Sequence, residues 1–491
     1  MHVDTETHPE SKDTPETQRR NSLAEEKNEH YLLAGRPPLK TLVSLSIGPV
    51  LAQVSTALFG IVDTMWVSKA IGTHAVAATS TYSVFENMGR AFGFFLSVAG
   101  SSKISALFGS GRGSEASQIV CDILRLAMIL GCILPAIFLP IVKSAARWFG
   151  ASEDIVSLGY QYISVFFSCS FVSLFFLSLG GFLQGEGRTL FFGLCNMGSC
   201  LLNMLVLDPF FLFYTGLGIK GAAIATVLAD FIPTVILLTM YFKGKFSIKP
   251  EFNQFFKPFS PHTFPALRVG FSALIAILSL SIPGVFITLF VGRSTSTPEE
   301  YNGALAGCGI TFRFAMFTMC IVIGVNNGFL PPASYAYAAK QPERWKWLSI
   351  HSIWINFAWC SFTCLLAWTI PKQISRLFSK DEYFVSWAAP MLRNGHALNF
   401  ISWCKNNAQS MLQSMQKGRT ATILSMFTQM GSLIGFACLL YYTDKHNATR
   451  LQWAYSYSFA FGFIVSLFVL IKPVKETLSM TIDDDQDDPQ F

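Results

Sequence analysis

The chain reads as an all-α integral membrane protein: twelve transmembrane helices in two six-helix bundles, related by a pseudo-two-fold axis along the membrane normal. Three observations predict this. Of 491 residues, 51% are hydrophobic and 13% charged, with mean hydropathy +0.42, against roughly 25% charged residues in an average soluble domain. Uncharged runs long enough to cross a bilayer as helix, about 20 residues each, recur along the whole length. The second half also repeats motifs of the first.

The first 38 residues are polar and Pro-containing, with no apolar core beside a basic start, so they read as a disordered tail and not as a signal peptide. Lys40 and Asp63 bound the first uncharged run, and others occupy 155–185, 269–292, 314–339, 347–371, 420–443 and 451–471. The remaining spans each contain charge: one around Glu86 and Arg90, one near 126–142, one at 189–214 with Asp208, one at 221–242 with Asp230, and one at 383–416. Hydrocarbon tolerates no unpaired backbone groups, and these runs lack the alternation of a barrel strand, so the spans are helices. The chain ends in an acidic tail over 473–491, "TIDDDQDDPQF" at its tip.

An even number of spans puts both termini on one side. A small excess of Lys and Arg in the loops on that side assigns both to the cytoplasm, in a plasma membrane or endomembrane. The sequon "NAT" at Asn447 then falls outside and is a glycosylation candidate. The net charge of +6 belongs to loops flanking the membrane and does not argue for nucleic acid. The eleven Cys are scattered without metal spacing and read as packing residues.

Repetition is visible in short motifs. "VDTMWVSK" (62–69) aligns with "FITLFVGR" (286–293), "SALFGSG" (105–111) with "SYAYAAK" (334–340), "EGRT" (186–189) with "KGRT" (417–420), and "NMGS" (196–199) with "QMGS" (429–432). The lobes are therefore 39–243 and 263–472, joined by a polar cytoplasmic linker at 244–262. Six spans each, in the same helix order, make the repeats parallel. Two such lobes with a cavity between them suit alternating access by rocking. Prolines such as Pro49 in the first span offer places to bend.

Asp63 lies in "LFGIVDTMWV", an otherwise apolar stretch. A carboxylate at membrane depth is costly and is usually turned inward, where it is paired, hydrated or protonated. The repeat equivalent of Asp63 is Ile287, and that of Asp208 falls near Tyr441. Four intramembrane acids, Asp63, Glu86, Asp208 and Asp230, thus belong to the first lobe alone, which points to a proton or cation site there. Glu86 and Arg90, spaced i, i+4, can neutralise each other; Asp230 is left open between a site role and simple exposure to a cavity. In 383–416 the ionisable residues are Arg393, His396 and Lys405, and Lys405 either stands in for a cation or snorkels.

In order along the chain, "GPVLAQVSTALFGIVDTMWVSKAIG", "SSKISALFGSGRGSEA", "FLQGEGRT", "LNMLVLDPFF", "GIKGAAIATVLAD" and "GVNNGFLPPASYAYAAKQPERWKW" resemble the multidrug and toxic compound extrusion (MATE) transporters over nearly all of 39–472. The resemblance is to the branch with an amino-terminal-lobe cation site. It implies a site made of Asp63, Asn203, Asp208 and Thr226. One departure stands out: the family spaces its Asn and Asp four apart, whereas Asn203 and Asp208 are five apart. On a regular helix this turns Asn203 about 100° too far unless a π-bulge absorbs the extra residue.

The expected function is a monomeric secondary antiporter that exports cationic or amphipathic organic solutes in exchange for H⁺ or Na⁺, with no cofactor beyond the coupling ion. A lipid-linked precursor flippase of the same superfamily is the alternative, although only Lys103, Arg313 and Lys405 offer charge to a pyrophosphate. No catalytic motif of an enzyme is present.

Overall fold

A computed structural model describes residues 31–148 and 152–480. Twelve spans follow one another: α1 (Pro38–Ala70), α2 (Thr73–Gly109), α3 (Ala116–Trp148), α4 (Glu153–Ser168 and Ser170–Gly185), α5 (Thr189–Phe213), α6 (Ile219–Phe242), α7 (Thr263–Arg293), α8 (Pro298–Ala338), α9 (Pro342–Thr369), α10 (Glu382–Gly395 and Trp403–Ser414), α11 (Gly418–Thr443) and α12 (Trp453–Leu478). Ten of these are each long and apolar enough to cross a bilayer, and α4 adds another despite a 54° bend. The remaining span, α10, is interrupted between Gly395 and Trp403. Its freed carbonyls find side-chain donors: Ser456 Oγ reaches the Asn394 carbonyl at 2.7 Å and Trp368 Nε1 reaches that of Ala397 at 3.3 Å. Buried irregular backbone survives at membrane depth only on such terms.

α1–α6 form the first lobe around one large apolar core in which Phe167, Phe182, Leu179 and Ile123 are buried. α7–α12 form the second, whose core is divided into smaller clusters by polar contacts such as Asn356 to Asn407 (2.7 Å) and Gln429 to Gln409 (2.7 Å). Within the first lobe, α1 and α5 cross at a glycine pair. A Cβ on Gly48 would stand 2.0 Å from the Thr189 carbonyl oxygen, and one on Gly193 would stand 2.4 Å from the oxygen of Gly48. Only glycine admits that approach, which locks α1 against α5 beside Pro49.

The tail boundaries differ from those read in the sequence. Residues 31–37, expected to be disordered, are folded: Leu33 is buried, and Arg344 of α9 donates to the carbonyls of Leu33 (3.0 Å) and Arg36 (2.9 Å). At the other end α12 continues to Leu478 because Pro473 and Thr477 are buried and Glu476 pairs with Lys417. The rest of the amino-terminal tail and the acidic run from 481 lie outside the described residues.

The linker is strapped to the first lobe. Asp122 of α3 is fully buried and accepts hydrogen bonds from Thr263 Oγ1 (2.6 Å), the Ser260 backbone N–H (2.8 Å) and Arg125 (2.9 Å), while Arg125 also donates to the Phe255 carbonyl at 2.8 Å.

The lobes meet along the half of the molecule nearer the ends of the described chain, here the terminal face. α8 packs on α1 so tightly that a Cβ on Gly328 or Gly324 would strike Ser46 or Val50. Ser102 of α2 sits against Ser334 of α8 at 3.4 Å and accepts from Gln416 Nε2 at 2.7 Å. Arg344 adds a bond to Thr41 Oγ1 at 3.1 Å. Toward the far face these contacts end: Gly60 of α1 and Gly309 of α8 have nothing within 4 Å of where a Cβ would stand. The lobes thus close at the terminal face and part toward the opposite one.

Candidate functional site

The four residues singled out by the family resemblance lie on three helices of the first lobe, in the half nearer the far face. Asn203 and Asp208 owe their common orientation to a local fault in α5. Residues Asn203–Leu207 form a π turn between two α segments, and the wider turn absorbs the additional residue. Asn203 Nδ2 consequently lies 3.4 Å from Thr226 Oγ1 on α6. Trp66 of α1, one turn beyond Asp63, donates its indole N–H to the Met204 carbonyl within the π turn at 2.9 Å. Sequence reasoning did not single out Trp66; its place three residues after Asp63, on the same helix face, was the available signal.

Asp208 is fully buried and Asn203 nearly so. Both carboxylate oxygens of Asp208, Oδ1 of Asp63 and Oδ1 of Asn203 are buried without a hydrogen-bond partner, and the Asp63 and Asp208 carboxylates lie within electrostatic reach of each other. Buried acceptors are normally satisfied, and two unpaired carboxylates are costly in low dielectric. A set of unsatisfied oxygens from Asp63, Asn203 and Asp208, with the Thr226 hydroxyl beside them, matches the donor chemistry of a proton or a Na⁺ ion. Among the described residues no group of three or more His, Cys, Asp and Glu could hold a metal.

The other two acids form a separate cluster. Arg90 Nε stands 3.1 Å from Glu86 Oε1 and its Nη1 stands 3.9 Å from Asp230 Oδ2. Tyr162 donates to Glu86 at 3.0 Å, and Ser173 and Ser199 donate to Asp230 at 3.0 and 3.4 Å. The i, i+4 pairing of Glu86 and Arg90 is thus present, and Asp230 joins it from α6 while buried, not exposed in a cavity. The pair is within electrostatic reach of Asp63. In the second lobe, Lys405 Nζ lies 5.0 Å from the centre of the Phe459 ring. Asn447 is exposed in the loop before α12 at the far face.

A family model described as MatE matches residues 49–207 and again 272–438, one match in each lobe. The chain belongs to the MatE family. Relatives of this MatE chain include the multidrug export protein MepA of Staphylococcus haemolyticus, 25% identical over 396 residues, with 79% of this chain and 84% of that protein covered. MepA of Staphylococcus aureus is 24% identical over 403 residues, covering 81% and 86%. The fold matches a crystal structure of MATE in complex with MaL6 at TM-score 0.83 and 22% identity, over 92% of this chain and 99% of that one. It matches equally well, at TM-score 0.83 and 22% identity over 92% and 98%, a MOP superfamily transporter from Pyrococcus furiosus described by the reverse polarity of its binding pocket.

Proposed function

We propose that this MatE protein is a cation-driven antiporter that exports amphipathic organic solutes by rocking its lobes over 39–243 and 263–472 about the contacts at the terminal face; its MepA relatives are named multidrug export proteins, which supports the export of solutes. The observation that carries this reading is the group of unsatisfied oxygens on Asp63, Asn203 and Asp208, present in one lobe with no acidic counterpart in the other. An H⁺ or Na⁺ entering from the far face binds there, joins α1 to α5 and α6, and changes the position of α1 that the glycine crossing beside Pro49 holds. Solute and cation compete for conformations and not for atoms.

In this reading both termini are cytoplasmic, so the parting lobes face outward and the Asn447 sequon is extracytoplasmic. The flippase alternative loses two of its three cations: Lys103 is buried toward the closed end and the Arg313 guanidinium turns to the Phe378 ring at 5.7 Å, which leaves Lys405 alone to meet a pyrophosphate. The test is solute efflux from proteoliposomes under a pH or a Na⁺ gradient imposed separately. Asp63→Asn folds and binds solute but loses gradient-driven efflux; efflux at the wild-type rate removes Asp63 from the mechanism.

A further inference from the structure

We propose that the interior of the second lobe is an anion-binding subsite centred on Lys405, and that the solute carried bears a carboxylate or a similarly compact anionic group beside its apolar body. This rests on the transport reading above and adds the class of solute.

The geometry begins with α10. Its Trp403–Ser414 segment places Lys405, Gln409 and Gln413 at intervals of four, on one helix face. That face turns into the lobe: Gln413 donates to Ser272 of α7 at 2.8 Å, Gln409 accepts from Gln429 of α11 at 2.7 Å, and a Cβ on Gly462 of α12 would stand 3.5 Å from Cβ and Cδ of Lys405. The bilayer-facing side of α12 is elsewhere, at the exposed Ile464, Phe468 and Ile471, while Phe459, Gly462 and Ser466 are buried. Lys405 therefore does not snorkel along a lipid surface. Its stem runs from Gly462 toward Phe459, so the ammonium points to the far face, the direction in which the lobes part.

Among the described residues nothing of opposite charge meets it there. None forms an ion pair with Lys405, and the described acidic residues of the second lobe occupy only its loops and the terminal turns of its helices. The contact with the Phe459 ring recovers only part of the cost of a charge at this depth. The side chain is partly accessible, so a solute group entering the lobe can reach the ammonium. The Gln409 and Gln429 amides, one helical turn along, line the same interior as further polar partners. An ammonium flanked by amides within apolar walls recognises a desolvated carboxylate. The lobes are thus complementary: the first has carboxylates awaiting a cation, the second a cation awaiting an anion.

The test uses rhodamine B, which carries a free carboxylate, and its ethyl ester, in which an added ethyl group masks that charge. Binding of each to the full chain in nanodiscs is measured by fluorescence anisotropy at equilibrium, without a gradient, in chloride and in gluconate buffer. Lys405→Met is expected to weaken rhodamine B at least about tenfold and the ester less than about twofold, with Lys405→Arg restoring rhodamine B. The ester also reports that the variant is folded. Equal loss of both dyes, or of neither, overturns the proposal. So does a loss of wild-type rhodamine B binding in chloride as large as that in Lys405→Met, which marks an inorganic-anion site. The coupling site is read separately, by gradient-driven efflux of Asp63→Asn in proteoliposomes, so failure of the coupling site and failure of this subsite read differently. A wild type that binds neither dye refutes the subsite and the transport reading together.

Discussion

Replacing Arg90 by Met tests whether the cluster around it is held by charge. Among the described residues the guanidinium is the only cation facing both Glu86, at 3.1 Å, and Asp230, at 3.9 Å, and the three side chains are 21%, 18% and 11% exposed. At an effective dielectric of about 20 the two attractions are about 5 and 4 kcal/mol before desolvation is counted. Most of that is offset by the cost of removing the charges from water. What the substitution exposes is the penalty of leaving carboxylates buried without a counter-charge, about 3–5 kcal/mol for a buried pair and less where a fifth of the side chain is wet. We therefore expect Arg90→Met to lose about 2–4 kcal/mol in equilibrium unfolding by SDS. Glu86→Gln loses less, because the Tyr162 hydroxyl still bonds the amide and Asp230 keeps its cation. The triple variant Arg90→Met, Glu86→Gln, Asp230→Asn recovers at least half of the loss, since the orphaned charges go with the cation. A triple variant as unstable as Arg90→Met alone, or an Arg90→Met as stable as wild type, refutes the argument. The first outcome assigns the arginine to packing, the second to hydration.

Other consequences are tested more directly. Asp122→Ala removes the acceptor shared by Ser260, Thr263 and Arg125, so the linker detaches, and limited trypsin cleavage after Lys249 or Lys257 speeds up by about tenfold as local opening becomes easier; an unchanged rate sinks the strap. Gly48→Ala places a methyl carbon 2.0 Å from the Thr189 carbonyl oxygen, and we expect a loss above about 3 kcal/mol, read as failure to yield monodisperse protein in size-exclusion chromatography, whereas Gly60→Ala is neutral. Glu186 lies in the turn between α4 and α5, outside the spans, where burial pushes its carboxyl up to about 8. The folded state thus holds a proton that the unfolded chain releases near its ordinary pKa, so stability falls as pH rises through that window and levels off above about 8. Glu186→Gln removes that slope, and parallel pH profiles for the two proteins disprove it.

Much of the site was legible because oil makes charge conspicuous. Asp63, Asp208, Asp230, Glu86 and Arg90 stand out against apolar runs, and a buried charge demands an explanation wherever it points. The one-residue excess between Asn203 and Asp208 left two readings, a rotated Asn203 or a π turn, and α5 has the π turn. Partners whose side chains are common in membrane helices were not legible. Tyr162, Ser173 and Ser199 are unremarkable on their own, and become ligands of Glu86 and Asp230 only when α4 and α5 pack beside α2 and α6.

The sequence by itself determined the helical class, the duplication and the lobe that carries the acids, because each depends on local composition and on the cost of putting polar groups in hydrocarbon. Tertiary structure alone decided which acids are paired and which are not, where the lobes touch, and that Lys405 looks inward. Those outcomes depend on how helices rotate about their axes and cross, and rotation is set by close contacts such as Gly48 on Thr189, between residues far apart in the chain.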